Sequence, residues 1–233
     1  TVRRDVKRLE EEGRLVSVAG CVAKPARLSL DATHRVKLGI RPREKAAIAR
    51  RAAELIRPGN LLYLDAGTTM LALARLLAAR PAAERVDVVT NDLAVAAAVG
   101  EHPGAQIHVL GGRLDAGNLS TDGPTAAAEL AGFNIDLAFI SASSFDLRGL
   151  SVPTEGKAIV KRSIAEHADR CVLVADSSKY GRVSTFKALP LRAFDAIVTD
   201  PALPDAVRDR ATAVGVDLLL TPLPDPSHVG EHP

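Results

Sequence analysis

The residues whose types and spacing are best suited to chemistry are Asp65-Ala66-Gly67-Thr68-Thr69. They follow an apolar run, Leu61-Leu62-Tyr63-Leu64, and precede Met70, Leu71, Leu73, Ala74, Leu76 and Leu77 at helical spacing. That order predicts a strand, a tight turn and a helix. Gly67 lets backbone come close to a ligand. Thr68 and Thr69 stand where the first N–H groups of a helix have no intrahelical partner. Such a helix start favours an anion, phosphate above all. The pattern therefore points to a phosphorylated small molecule. Simple capping of the helix by the two hydroxyls explains the same residues, so this stretch alone leaves both readings open.

The elements around it repeat the same alternation. A helix is predicted from Glu44, with Ala46, Ala47, Ile48, Ala52, Leu55 and Ile56 on one face and Pro58-Gly59 closing it. Strands are predicted over 86–90, 106–110, 136–140, 171–175, 196–199 and 216–220. Helices are predicted from Asn91-Asp92 to Val99, over 123–131, from Thr154 or Glu155 to about residue 168, and over 203–214. Short apolar strands alternating with helices imply a mostly parallel sheet with helices on both faces. Ligands on such sheets bind outside the carboxyl ends of the strands. Here those ends carry Asp65 to Thr69, Thr90-Asn91-Asp92, Gly111-Gly112, Ser141 to Ser144, and Asp176 to Lys179. Each loop alone is ordinary turn chemistry; their coincidence is what favours a shared pocket.

At 233 residues the chain suits one large domain, or one domain with a small appendage. With aromatics at 3%, the core has to be built from Leu, Val, Ile and Ala. Net charge is only +2 but unevenly spread. Residues 1–45 hold 12 Lys or Arg against 6 Asp or Glu, whereas the remainder is mildly acidic. A basic N-terminal segment implies an anionic partner for that segment. Cys21 and Cys171 lie far apart, as expected of a reduced, cytoplasmic protein. No apolar run is long enough to span a membrane, and no signal peptide opens the chain, so no membrane partner is expected. His228 and His232 are the only histidines near metal-ligand spacing, and they fall in a Pro-rich tail. No metal or other cofactor is expected.

Four segments follow. In the first, residues 1–23, Thr1 can cap a helix that carries Val2, Val6 and Leu9 as a narrow apolar stripe and ends at Gly13. Arg3, Arg4, Lys7 and Arg8 point away from that stripe, and a short strand or hairpin is expected over 14–20. Residues 24–43 are basic, lack periodicity and read as a linker. Residues 44–222 form the α/β domain, and 223–233 a frayed tail.

Thr1-Val2-Arg3-Arg4-Asp5-Val6, with Leu9-Glu10, Gly13 and Leu15, resembles the recognition helix and wing start of the DeoR-type sugar-catabolism repressors. The body carries further motifs similar to that family's effector domain: Asp65 to Thr69, Thr90-Asn91, Gly111-Gly112-Arg113, Gly123-Pro124, the 136–141 strand, and Asp176-Ser177-Ser178-Lys179-Tyr180-Gly181. The likeness runs from Thr1 to about Leu220. It implies a winged helix-turn-helix joined to a sensor domain that is similar in fold to ribose-phosphate isomerases and CoA transferases. It further implies a bacterial transcriptional repressor, acting as a homo-oligomer, released from its DNA operator by a phosphorylated sugar or sugar acid. On this resemblance Thr1, Arg3 and Arg4 face DNA, where Arg reads guanine or holds phosphate. Gly67, Thr68 and Thr69 hold the effector phosphate beside Asp65. Thr90 and Asn91 bind hydroxyls or phosphate, and Gly111 and Gly112 let the backbone approach. Ser141 stands at a neighbouring strand end, and Lys179 is the main cation. The helix after Leu150 departs from the family's acidic pair, with Glu155-Gly156-Lys157 in its place. Because the preceding helices of the DNA-binding unit are not part of this sequence, weak operator binding is expected of this chain alone.

A sugar-phosphate isomerase on the related fold is the competing reading. It requires a carboxylate base near the anion site, and Asp65 and Asp92 are the candidates. No Ser-His-Asp order, nucleophile elbow or Walker loop is present.

Overall fold

The computed structural model describes residues 2–12, 14–18, 21–28 and 31–221. Thr1, Gly13 and the tail from Pro222 lie outside the described residues. Eight helices are described: α1 (Val2–Glu11), α2 (His34–Leu38), α3 (Pro42–Ala53), α4 (Thr68–Ala78), α5 (Leu93–Val99), α6 (Pro124–Leu130), α7 (Glu155–His167) and α8 (Asp205–Ala213). Seven strands make the central sheet: β1 (Leu61–Leu64), β2 (Val86–Thr90), β3 (Ala105–Val109), β4 (Leu137–Ser141), β5 (Cys171–Val174), β6 (Ala196–Thr199) and β7 (Asp217–Leu220). Every pairing among them is parallel, and their spatial order is β3-β2-β1-β4-β5-β6-β7.

Successive strand residues point to opposite faces, and this divides the core in two. Tyr63, Ala138, Ile140 and Leu173 pack with Leu130, Val160, Ile164 and Val207, on the face covered by α6, α7 and α8. Leu62, Leu64, Leu137, Phe139, Val172 and Val174 pack with Ile48, Leu73, Leu77 and Val95, on the face covered by α3, α4 and α5. Burial on both faces explains why these strands read as unbroken apolar runs.

The order of strands reverses between β1 and β4. Chain leaving β1 enters α4 on one face, while chain leaving β4 runs toward the other. A crevice must open between the two loops, at the topological switch point of the sheet.

Several elements add to those expected from sequence. Arg113–Asp115 pairs with Ser120–Asp122 as a hairpin. Ser144–Asp146, Gly149–Val152 and Phe186–Pro190 form a small antiparallel sheet. Gly149 has φ +129, and a Cβ there would overlap the Leu189 carbonyl oxygen, so only glycine suits this crossing. The largest difference concerns residues 24–43, which read from sequence as a linker. Ala26–Leu28 pairs in parallel with Arg182–Ser184. Thr33 Oγ1 then caps α2 by accepting from Val36 N at 3.5 Å. Polar groups of this stretch meet partners in the body of the domain, which periodicity along the chain cannot reveal. Near the start, Val16–Val18 pairs with Cys21–Ala23, and Glu10 Oε1 accepts from Ser17 N at 2.7 Å, tying α1 to this hairpin.

Candidate functional site

A cleft of about 190 Å³ lies at the switch point. The β1–α4 loop forms one wall. Gly67 is the N-cap of α4, with φ 145, and supplies no side-chain cap. Thr68 and Thr69 line the cleft from the first turn. The first N–H groups of α4 therefore meet a ligand space rather than a capping side chain. The helix start is fixed from behind: Gly67 N donates to Asp92 Oδ2 at 2.9 Å, while Asp92 Oδ1 accepts from Ala94 N and Val95 N and caps α5. Burial raises the Asp92 carboxyl above its ordinary range, and these backbone donors offset only part of that.

The floor is a buried ion pair. Asp65 is 2% exposed and Lys161 6% exposed, and they are in direct contact. Asp65 Oδ2 also accepts from Ser141 N at 2.8 Å. The Ser141 hydroxyl reaches Asp65 Oδ2 at 2.9 Å or the Ala66 carbonyl at 2.7 Å. Lys161 donates a second bond to the Ser141 carbonyl at 3.0 Å. Asp65, Ser141 and Lys161 thus join the ends of β1 and β4, the two strands between which the crevice opens.

The remaining walls are cationic. Lys37, Lys45, Lys157, Lys161, Lys179 and Arg182 line the cleft, against two acids, Asp31 and Asp65. Lys45 is buried and donates to the Lys37 carbonyl. Burial, followed by the neighbouring charge of Lys179, pulls its pKa down to about 8. Burial lowers the Lys37 pKa as well, although Asp31 opposes the shift. Burial pushes the Asp31 carboxyl up, but Lys37 and Lys157 more than offset this and hold it below its usual range. Like charges gathered in a partly desolvated space are costly without a counter-ion. Perturbed groups of this kind cluster at functional sites, and structural ion-pair networks produce them as well.

The structure brings Asp65, Gly67, Thr68, Thr69, Asn91, Ser141 and Lys179 to this one cleft. Both ends of the Asn91 amide already have protein partners: Oδ1 accepts from Tyr63 OH at 2.8 Å, and Nδ2 donates to the Thr121 carbonyl at 2.7 Å. Thr90, Gly111 and Gly112 do not line the cleft. The buried Thr90 hydroxyl donates to the Leu64 carbonyl at 2.6 Å and accepts from Asp92 N at 3.1 Å, joining β1 to β2. Gly111 N donates to Glu129 Oε2, and Gly112, at φ +117, passes close to Asp122 and Ala126. Their small size serves a close approach to α6. Arg3 and Arg4 are exposed on α1, and Arg3 borders a groove of about 540 Å³ between α1 and α8.

Sequence reasoning did not select Asp31, His34, Lys37, Lys45 or Lys161, and it singled out Lys157 only as a departure from a usually acidic position with a bearing on which ligand is held. The one signal available for α7 was the spacing of Lys157 and Lys161, which puts both on one face of a helix. Among the described residues no cluster of His, Cys, Asp and Glu could hold a metal ion, and no helix is long and apolar enough to cross a membrane.

Fold and cleft together define a doubly wound α/β domain with a cationic cleft at its switch point. The family model described as the DeoR C terminal sensor domain matches residues 40–201. Over 220 residues the chain is 43% identical to the uncharacterized HTH-type transcriptional regulator YgbI of Escherichia coli, covering 94% of this chain and 85% of that protein. It is 30% identical over 223 residues to the HTH-type transcriptional repressor GlcR of Bacillus subtilis, covering 95% and 84%. The ribose 5-phosphate isomerase A of Methanocaldococcus jannaschii is a structural neighbour at 18% identity and TM-score 0.42, covering 58% of this chain and 53% of that one. The chain belongs to the DeoR family of transcriptional regulators.

Proposed function

We propose that the switch-point cleft binds a phosphorylated sugar or sugar acid, and that this ligand governs repression of a carbohydrate-catabolism operon by changing the regulator's hold on its DNA operator. One observation carries the reading: the uncapped start of α4 opens into a space where six cationic side chains face two acids. Backbone N–H groups, the helix dipole and flexible ammonium groups together suit a phosphate dianion. Gly67, Thr68 and Thr69 hold the phosphate, Lys45 and Lys179 add charge, and the Ser120 hydroxyl is available to the sugar. Asp65 and Ser141 position the floor.

The isomerase alternative needs a free carboxylate at the substrate. Asp65 is engaged by Lys161 and Ser141, and Asp92 by three backbone N–H groups. Both arrangements favour a sensor over an enzyme.

The test is a panel of sugar phosphates and their unphosphorylated parents followed by thermal melting. A ligand at one hundred times its Kd adds about 2.7 kcal/mol to stability. Phosphorylated members should raise Tm and their parents should not. Silence across the panel defeats the ligand reading, and isomerised product forming at an ordinary enzymatic rate of about 1 per second defeats the sensor reading.

A further inference from the structure

Six cations and two acids line the cleft, and two further acids, Asp115 and Asp176, lie against Lys157 and Lys179. The net excess is therefore two positive charges, which a phosphate monoester balances at pH 7, so charge alone does not name a second acidic group. Geometry at one place in the cleft does. Asp31 Oδ2 accepts from Lys37 Nζ at 2.7 Å and from Lys157 Nζ at 3.1 Å, while Asp31 Oδ1 accepts from Ser143 Oγ at 3.3 Å. Asp115 lies 3.6 Å from Lys157, and Asn118 Oδ1 accepts from Lys37 at 3.0 Å. A carboxylate is thus already seated between two lysines inside the cleft, and it belongs to a stretch, residues 31–33, with no regular secondary structure. Beside it, His34 is 6% exposed, lines the cleft, and its Nε2 is buried without a hydrogen-bond partner among the described residues. A buried nitrogen in that state calls for a partner from a ligand.

We propose that the effector carries a carboxylate as well as a phosphate, and that this carboxylate takes the place of Asp31 between Lys37 and Lys157, with His34 Nε2 bonded to the ligand beside it. The inference rests on the phosphate reading above and narrows it to phosphorylated sugar acids. The cleft supplies the recognition a carboxylate needs: two ammonium donors already spaced to share one oxygen atom. A polyol phosphate has no carboxylate to offer and leaves Asp31 in place.

The experiment titrates the protein by calorimetry with matched pairs: glycerol 3-phosphate against 3-phosphoglycerate, and sorbitol 6-phosphate against 6-phosphogluconate. The acid member of at least one pair should bind about tenfold tighter or better. In Lys157→Gln that preference should fall to about twofold or less. Equal affinity within both pairs, or a preference that survives Lys157→Gln, overturns the inference and leaves the phosphate reading standing. Failure of all four compounds to bind overturns both. The comparison within each pair uses the unaltered protein, so it stands even if the variant does not fold.

Discussion

Lys157 Nζ lies 3.1 Å from Asp31 Oδ2, a carboxylate 126 positions earlier in the chain. That contact, shared with Lys37, holds the segment following the N-terminal hairpin against the ligand cleft. Asp31→Asn removes the charge while keeping the shape. Lys37 then loses its counter-ion and Lys157 keeps only Asp115 at 3.6 Å, which should cost about 1–3 kcal/mol of stability in the absence of anions. The same change should strengthen binding of inorganic phosphate severalfold, an effect that weakens with added salt. The sign with pH follows from the lowered Asp31 pKa. Its stabilisation is present above the ordinary value of 3.8 and is lost as pH falls through the folded-state value. Urea melts at pH 7 and pH 3 should therefore show the gap between parent and variant closing on the acid side.

If the cleft binds a phosphate as proposed, Lys45 should set the alkaline limit of that binding. In the folded chain it loses its proton near pH 8, against an ordinary value of 10.5. Between those two values the unfolded chain binds more protons, so this residue makes stability rise with pH across that window. Binding runs the other way. A phosphate favours the charged ammonium and draws a proton onto it, so affinity should fall as pH rises past about 8, approaching about tenfold per unit where a full proton is taken up. Lys45→Arg should remove that limb, because guanidinium stays charged. Calorimetric titration of phosphate from pH 7 to pH 9.5 checks both; a flat profile in the parent would exclude Lys45 from the site.

Much of the sheet was legible because its strands are short, buried on both faces and punctuated by turn residues. Tyr63 and Leu64 lie in a run that no amphipathic helix would carry, and Asp92 and Thr154 announce α5 and α7 as caps. The loop after β1 was legible as a strand end, turn and helix start for the same local reason. Apart from Lys179 the cationic wall was not, since Lys37 comes from a stretch without periodicity, Lys45 from the first turns of a helix read only for its apolar face, and Lys157 and Lys161 from a helix 110 or more residues later. Their meeting depends on where the chain reverses its strand order. Gly111 and Gly112 illustrate the converse error: a strand end rich in glycine fits close backbone packing as well as it fits a ligand, and here Glu129, Asp122 and Ala126 are the close neighbours.

The pair Asp65–Lys161 predicts a strong coupling. Both side chains are nearly inaccessible to solvent. Lys161→Met leaves a buried carboxylate with only Ser141 as partner and should cost about 3–5 kcal/mol. For a chain of this size that is a drop in Tm of roughly 6–20 °C. Asp65→Asn combined with Lys161→Met should cost less than the two single changes added together, by about 1 kcal/mol or more. Urea denaturation of the four proteins measures this, and strict additivity would show that the two charges do not sense each other.

Arg3 and Arg4 test the other end of the molecule. Both are exposed on α1, so replacing them disturbs no core contact. With both changed to Ala, the Tm should stay within about 4 °C of the parent, because exposed substitutions of this kind shift stability by no more than about 0.5 kcal/mol each. Operator binding by the regulator should weaken all the same. If both side chains hold phosphates, affinity falls across all sequences and the slope of log affinity against log salt becomes shallower by about two. If one instead reads guanine, the loss is about 1–3 kcal/mol, confined to sites carrying that base. Fluorescence anisotropy with operator and scrambled duplexes at several salt concentrations separates these outcomes, and unchanged affinity for both duplexes would remove α1 from the DNA interface.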